Sequence, residues 1–200
     1  MIRVIFFDLG KVLVDFDWHS AAQRIARKSD LQIIEILYRC TSSDIAIAFE
    51  CGQLNPEEFL RKLRPSLKFQ GTTEDLRTLW TEIFTPIQEN IELVDRLKKQ
   101  YVLGMISNTN PLHFNFIQNS YDFPKLFDRL ILSYEVGEMK PDRKIFEKAV
   151  NGLDVRPDEI IFIDDIQKNH SGAIDLGWHT IHYTSHNDLI KSLHSFSVNT

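Results

Sequence analysis

Short apolar runs alternate with stretches of helical periodicity along most of the chain. The apolar runs are residues 4–7, 101–106, 129–132, 160–163 and 179–183. Continuous runs of this kind are typical of strands that are buried on both faces of a parallel sheet. Helical patterns follow the runs, at residues 91–99, 111–118, 142–150, 171–176 and 189–193. The alternation predicts an α/β fold with an open, doubly wound parallel sheet.

The long stretch between the first two predicted strands breaks this alternation and has helical patterns only. Asn55 and Pro56, followed by two glutamates, form a helix start with an N-cap residue, a proline at the first helical position and acids in the first turn. An insertion after the first strand lies over the carboxyl ends of the strands, where open α/β sheets bind ligands. We therefore predict a core domain of residues 1–14 and 88–200, and a helical cap of residues 15–87.

Composition and charge narrow the class of protein. The chain has 200 residues, of which 43% are hydrophobic and 26% charged, as is usual for a globular domain with an insertion. The net charge is −5 and the basic residues are scattered, which argues against a nucleic-acid partner. No apolar stretch approaches the ~20 residues of a membrane span, and the chain begins with a predicted strand rather than a charged leader. We expect a cytoplasmic protein without a membrane partner; the patterns do not reveal its oligomeric state.

Polar side chains follow four of the predicted strands, near the point where each strand ends. They are Asp8, then Ser107 and Asn108, then Lys140, and finally Asp164 and Asp165. Carboxyl ends of parallel strands meet at one edge of a sheet, so these side chains are expected to lie together. A carboxylate can attack phosphorus when Mg²⁺ screens the repulsion, and hydroxyl and ammonium groups can hold the phosphate oxygens. The set predicts Mg²⁺-dependent phosphoryl transfer, although a lone aspartate after a strand is often only a turn former.

These residues resemble the four motifs of the haloacid dehalogenase-like hydrolases. The matching segments are Asp8-Leu9-Gly10-Lys11-Val12, Ile106-Ser107-Asn108-Thr109, Lys140-Pro141-Asp142, and Phe162-Ile163-Asp164-Asp165 with Asn169-His170-Ser171-Gly172-Ala173. The resemblance covers nearly the whole chain and implies a Rossmann-like sheet with a C1-type cap. Phe49-Glu50-Cys51-Gly52 and Val14-Asp15-Phe16-Asp17 are similar to the subgroup that contains bacterial α-D-glucose-1-phosphate phosphatase and the phosphatase domain of soluble epoxide hydrolase.

The resemblance also implies a role for each motif residue on the phosphate side. Asp8 would be the nucleophile, and Lys140 would stabilise both the nucleophile and the transferring group. Ser107 and Asn108 would hold the phosphate. The substrate would be a small phosphorylated molecule.

On the metal side, the resemblance implies that Mg²⁺ binds Asp8, the carbonyl of Gly10 and Asp165. Asp165 is preferred to Asp164 because the family usually places the ligand four residues before the asparagine that matches Asn169. Asp164 would then contact the metal only through water or through the other ligands.

Gly10 departs from the family pattern, in which most phosphatases have an aspartate that protonates the leaving oxygen. General acid and base help is worth ~10²–10⁴-fold in rate. A leaving group that needs little protonation, such as that of an anomeric sugar phosphate, would tolerate the loss. Alternatively, His113, Asp15 or Asp17 would substitute for the missing aspartate. Glu50 is predicted to lie on a solvated helix face, with contact to a substrate hydroxyl as the alternative.

The prediction is a Mg²⁺-dependent phosphatase that hydrolyses a small phosphorylated metabolite, with a sugar phosphate as one candidate, through an aspartyl-phosphate on Asp8. One alternative is a metal-independent 2-haloacid dehalogenase, which would leave the acids at 164 and 165 without a use. A second alternative, suggested only by Gly10, is a catalytically weak protein that binds a phosphorylated metabolite and has a regulatory role.

Overall fold

Seven strands form two sheets in the computed structural model, which describes residues 1–200. The strands are β1 (Val4–Phe7), β2 (Val14–Phe16), β3 (Phe84–Pro86), β4 (Val102–Ser107), β5 (Arg129–Leu132), β6 (Ile160–Asp164) and β7 (His179–His182). Five of them form a parallel sheet in the order β5-β4-β1-β6-β7, with β1 in the centre. The predicted α/β fold with a doubly wound parallel sheet is confirmed.

Eleven α-helices surround or extend the sheet. They are α1 (Trp18–Ala26), α2 (Ile33–Thr41), α3 (Asp44–Glu50), α4 (Pro56–Ser66), α5 (Thr73–Thr81), α6 (Gln88–Leu97), α7 (Pro111–Ser120), α8 (Ser133–Val136), α9 (Arg143–Val150), α10 (Ser171–Ile174) and α11 (His186–Ser195). None of them combines the length and the apolar composition that a membrane span requires.

The two faces of the sheet bury separate groups of side chains, because successive residues of a strand point to opposite faces. Ile5 and Phe7 of β1 belong to one buried cluster, together with residues of α6, α7 and α11. Val4 and Phe6 belong to another, together with residues of α9 and α10. Helices on both faces explain why β1 consists entirely of apolar residues.

Helices α1 to α5 pack around a third hydrophobic cluster. Phe49, Phe59 and Trp80 lie in this cluster, and Leu112 of α7 joins it from outside the inserted segment. The predicted start of α4 is confirmed, because the Asn55 side chain accepts a hydrogen bond from the Glu58 N–H at 2.9 Å and the Glu58 carboxylate accepts one from the Asn55 N–H at 3.1 Å. We propose that these five helices form the cap; the limits at residues 15 and 87 stay a prediction.

The inserted segment is not entirely helical, which corrects the sequence prediction. Strands β2 and β3 pair antiparallel at the base of the five helices, with Val14 opposite Pro86 and Phe16 opposite Phe84. Each strand has three residues. That length is too short for an alternating pattern to be visible, and the pairing joins parts of the chain that are far apart in sequence.

Candidate active site

The central strand β1 places Asp8 at its carboxyl end. The Asp8 N–H donates to the carbonyl of Ile163 in β6 at 2.8 Å, which continues the sheet ladder by one residue. The N–H of Leu9 donates to Asp8 Oδ1 at 2.7 Å. Asp8 is buried, so its carboxylate has a fixed position at the edge of the sheet.

Lys140 connects Asp8 to a second buried carboxylate. Its Nζ lies 2.7 Å from Asp8 Oδ1 and 2.6 Å from Asp164 Oδ2. Burial opposes the charge of Lys140, but the two carboxylates outweigh burial and raise the pKa of the ammonium. Burial raises the pKa of Asp8 to about 7; Lys140 acts against this rise and the charge of Asp164 adds to it.

The two aspartates at the end of β6 have different surroundings. The Asp164 carboxylate accepts hydrogen bonds from Lys140, from the Ile166 N–H at 2.7 Å and from Asn169 Nδ2 at 3.1 Å to each oxygen. No other side chain pairs with the carboxylate of half-buried Asp165, which lines the cavity above Asp8. Burial, followed by the charge of Asp164, raises the pKa of Asp165. The carboxylate of Asp165 is therefore freer than that of Asp164 to bind a metal ion or another ligand.

The site has an excess of negative charge that a divalent cation would balance. One carboxylate oxygen from each of Asp8, Asp164 and Asp165 lies within 4.8 Å of the others, whereas Lys140 is the only cation paired with this group. The carbonyl of Gly10 accepts no hydrogen bond within the chain. Carboxylate and carbonyl oxygens are the ligands that Mg²⁺ prefers, so the residues present fit this metal.

The loop after β4 presents unpaired polar groups to the cavity. The Ser107 hydroxyl lines the cavity and has no hydrogen-bond partner in the protein. The Asn108 side chain instead accepts from the Lys140 N–H at 2.7 Å and donates to the Lys140 carbonyl at 3.0 Å. The backbone N–H of Asn108 has no acceptor within the chain. The phosphate contact expected of Asn108 therefore stays a prediction, for its backbone N–H rather than its side chain.

Ser133 supports this loop and was not identified from the sequence. Its hydroxyl accepts from the Thr109 N–H and donates to the Thr109 carbonyl, both at 2.9 Å, and it is fully buried. The signal was available, because Ser133 directly follows an apolar run whose end lies at the same edge of the sheet.

A cavity of about 320 Å³ opens above Asp8, between the sheet edge and the five helices. Phe16, Trp18 and Phe84 form an apolar wall, with ring centroids 5.1 Å apart for Phe16 and Trp18 and 5.7 Å apart for Phe16 and Phe84. Glu50 lines the same cavity, which corrects its prediction as part of a solvated helix face. Burial raises the pKa of this carboxyl to about 7.

The three proposed substitutes for the missing aspartate are held by other partners, and only His113 lines this cavity. His113 lines it, but burial lowers the pKa of the imidazole to about 3, and its two nitrogens pair with Asn110 at 3.0 Å and with the Trp80 carbonyl at 3.1 Å. Asp15 is bound to Lys11, a hydrogen bond that lowers the pKa of this carboxyl. Asp17 caps α1 by accepting from the His19 N–H at 2.9 Å.

Comparison with known proteins identifies the family. A family model described as haloacid dehalogenase-like hydrolase matches residues 2–177. A D-ribitol-5-phosphate phosphatase of Bacteroides thetaiotaomicron is 28% identical over 187 residues, which are 90% of this chain and 91% of that protein. A glyceraldehyde 3-phosphate phosphatase of Pyrococcus furiosus is 28% identical over 196 residues, 90% of this chain and 80% of that protein.

A solved structure extends the likeness to the fold. The crystal structure of a haloacid dehalogenase family enzyme from Bacteroides thetaiotaomicron, in complex with magnesium and inorganic phosphate, superposes with a TM-score of 0.84. The match covers 93% of this chain and 96% of that chain at 24% identity, a level that establishes a common fold. The chain therefore belongs to the haloacid dehalogenase-like hydrolases.

Proposed function

We propose that this protein is a Mg²⁺-dependent phosphatase that hydrolyses a small phosphorylated metabolite through an aspartyl-phosphate on Asp8. The observation that supports this most strongly is the buried group of Asp8, Lys140 and Asp164, with Asp165 beside it, at the floor of a cavity. A nucleophile, a cation and metal-binding oxygens thus meet at one point of the sheet edge.

Asp8 is the nucleophile in this proposal. An oxygen of its carboxylate attacks phosphorus, the ester bond to the leaving oxygen breaks, and water then attacks the phosphorus of the aspartyl-phosphate to release phosphate. Lys140 lies 2.7 Å from Asp8 and orients the carboxylate while it offsets negative charge on the transferring group. Asp164 holds Lys140 in place from the other side.

Three oxygen donors would hold the metal: the carboxylates of Asp8 and Asp165 and the carbonyl of Gly10. When bound, Mg²⁺ neutralises charge on the phosphate oxygens and lowers the repulsion between the phosphate and Asp8. Asp164 already accepts four hydrogen bonds, which favours Asp165 as the direct ligand. The Ser107 hydroxyl and the Asn108 N–H would bind phosphate oxygens.

The size of the cavity and the relatives favour a small organic phosphate. The two phosphatases named above act, by their names, on phosphate esters of short polyhydroxylated carbon chains. A cavity of about 320 Å³ is at the small end of ligand pockets, which agrees with a substrate of this size. A sugar or polyol phosphate is the class we propose.

A hydrolysis screen over phosphorylated metabolites, with and without Mg²⁺, tests the proposal. We expect metal-dependent phosphate release from sugar or polyol phosphates, and no release by Asp8→Asn, which cannot form the aspartyl-phosphate. Equal turnover by the Asp8→Asn variant, or no metal-dependent turnover on any substrate, would overturn the mechanism.

The same screen separates the alternatives. Halide release from 2-haloacids without added metal would identify a dehalogenase, whose chemistry does not need the acids near Asp8. Tight binding of a sugar phosphate without turnover would identify a regulatory protein.

A further inference from the structure

The position that follows Asp8 by two residues cannot provide an acid, and the structure shows what fills the space instead. A Cβ atom on Gly10 would lie 2.9 Å from Cε1 of Phe16. The Phe16 ring therefore occupies the place that the side chain of an aspartate would need. An acid that protonates the leaving oxygen has to reach the cavity from another element.

Glu50 is the acidic residue of the cavity that is left for this task. The other carboxylates lining it are Asp8 and Asp165, to which the proposed function already assigns the nucleophile and the metal. The Glu50 carboxylate has no hydrogen bond and no ion pair within the protein, and it lines the cavity from α3, an element of the inserted segment rather than of the sheet. A leaving oxygen lies roughly in line with phosphorus and the attacking oxygen, on the side away from the nucleophile.

Contacts at the end of α3 fix Glu50 in this position. Gly52 adopts a left-handed conformation with φ of 70°, and a Cβ there would lie 2.0 Å from the carbonyl oxygen of Tyr134. Only glycine permits this close approach of the end of α3 to α8. Phe49 is fully buried and stacks on Phe59 with ring centroids 4.0 Å apart. These contacts on either side of Glu50 hold its backbone in place at the wall of the cavity.

We propose that Glu50 is the general acid for the leaving group, a role that rests on the proposed function of Asp8. Protonated Glu50 transfers its proton to the leaving oxygen as the ester bond to phosphorus breaks, which leaves the Glu50 carboxylate and a neutral alcohol. The carboxylate then takes a proton from the water that attacks the aspartyl-phosphate, so Glu50 is protonated again when phosphate is released. Both steps conserve protons without another reactant.

The electrostatic surroundings of Glu50 agree with this role. Burial raises the pKa of its carboxyl to about 7, so that it is partly protonated at neutral pH, as an acid that also acts as a base requires. Asp8, Asp165, Lys140, Lys11 and Lys168 are the other charged residues that line the cavity. Cys51 and Glu138 are the nearby titratable residues outside the cavity. Burial raises the pKa of the Cys51 thiol, and the charges of Glu50 and Glu138 add to this rise.

The test compares leaving groups in the first turnover of Glu50→Gln. An alkoxide needs a proton to leave whereas p-nitrophenolate does not, so we measure rapid-quench release from n-propyl phosphate and from p-nitrophenyl phosphate. We expect a loss of ~10²–10⁴-fold with n-propyl phosphate and of less than about tenfold with p-nitrophenyl phosphate. A comparison within one variant is independent of how much of that variant is folded.

Two controls complete the experiment. Glu138→Gln removes an acid that does not line the cavity and is ion-paired to Lys144 at 3.5 Å, and it should leave both first turnovers unchanged. Glycerol phosphate shares an alkoxide leaving group with n-propyl phosphate but has additional hydroxyls.

Equal losses on n-propyl and p-nitrophenyl phosphate would overturn the role of Glu50 as an acid. A loss confined to the KM of glycerol phosphate would also overturn it, and would show that Glu50 binds a substrate hydroxyl. Neither result affects Asp8, whose role is tested separately because Asp8→Asn has to abolish the turnover of all three substrates.

Discussion

At the scale of single residues, Lys140 determines whether two buried carboxylates are tolerated. It is itself buried and lies within 2.7 Å of Asp8 and 2.6 Å of Asp164. Taking charges out of water is expensive, and removal of one partner leaves the others uncompensated. The contact that we propose to orient the nucleophile would therefore also stabilise the fold.

Replacement of Lys140 tests this double role. We expect Lys140→Met to lower the free energy of unfolding by about 3–5 kcal/mol, because Asp8 and Asp164 lose their cation, and to reduce the first-turnover rate. Urea denaturation and rapid-quench kinetics measure the two effects. The control Lys144→Met breaks an exposed ion pair and should cost less than about 1 kcal/mol. Similar costs for the two variants would contradict the account.

Gly10 and Phe16 form a second pair that acts as a unit. A Cβ on residue 10 would meet the Phe16 ring at 2.9 Å. We expect Gly10→Asp to destabilise the protein by about 1–3 kcal/mol through overpacking, and to do so less in a Phe16→Leu background. Denaturation of the two single variants and the double variant measures the coupling, which should be about 0.5–3 kcal/mol. Simple additivity would show that the ring does not restrict this position.

At the scale of elements, the strands of the main sheet were predictable, whereas the two-stranded ribbon formed by β2 and β3 was not. Strands β1 and β5 have the predicted limits. The central strand β1 is buried and apolar throughout, as expected of a parallel strand covered on both faces, and β5 has three apolar residues after Arg129. The pairing of β2 with β3 depends on contacts between distant parts of the chain. No local pattern in three residues indicates such a contact.

The helices α5 and α7 are joined by His113, whose environment has a consequence for stability. Its ring lies between Trp80 and Phe84, with centroids 4.8 and 5.0 Å away, and one nitrogen pairs with the Trp80 carbonyl. Burial lowers the pKa of the imidazole to about 3 in the folded protein. The neutral ring thus connects the cap to the core.

This lowered pKa predicts a loss of stability in mild acid. Below pH ~6.5 the unfolded chain binds a proton at His113 that the folded protein does not bind, so the free energy of unfolding falls as pH falls toward 3. One such group contributes about 2 kcal/mol between pH 6.5 and pH 5. Urea denaturation at both pH values should therefore show a pH dependence that is smaller by about this amount in His113→Phe. An identical pH dependence in the variant would contradict the assignment.

At the scale of the whole molecule, the sequence predicted which groups meet and the structure revealed how they are paired. Asp8, Ser107, Lys140 and Asp165 were expected at one edge because parallel strands end there. The exchange of hydrogen bonds between Asn108 and the backbone of Lys140, and the position of Glu50 over the cavity, depend on how loops and cap fold back on the sheet. Such relations are absent from strand and helix patterns.

The architecture places the chemistry between two separately packed parts. The sheet provides Asp8 and its partners, and the five helices with the ribbon provide the aromatic wall and Glu50. In the proposed reaction, a covalent intermediate forms on Asp8 at the edge of the sheet.

Chemical trapping of this intermediate is the most direct test. The enzyme is mixed with p-nitrophenyl phosphate and Mg²⁺, quenched in acid within the first turnover, and reduced with borohydride, which converts an aspartyl-phosphate to homoserine. Peptide mass spectrometry should find homoserine at residue 8 of the wild-type protein, and not when Mg²⁺ is removed. Efficient turnover with an unmodified residue 8, or with the label at another carboxylate, would contradict the account.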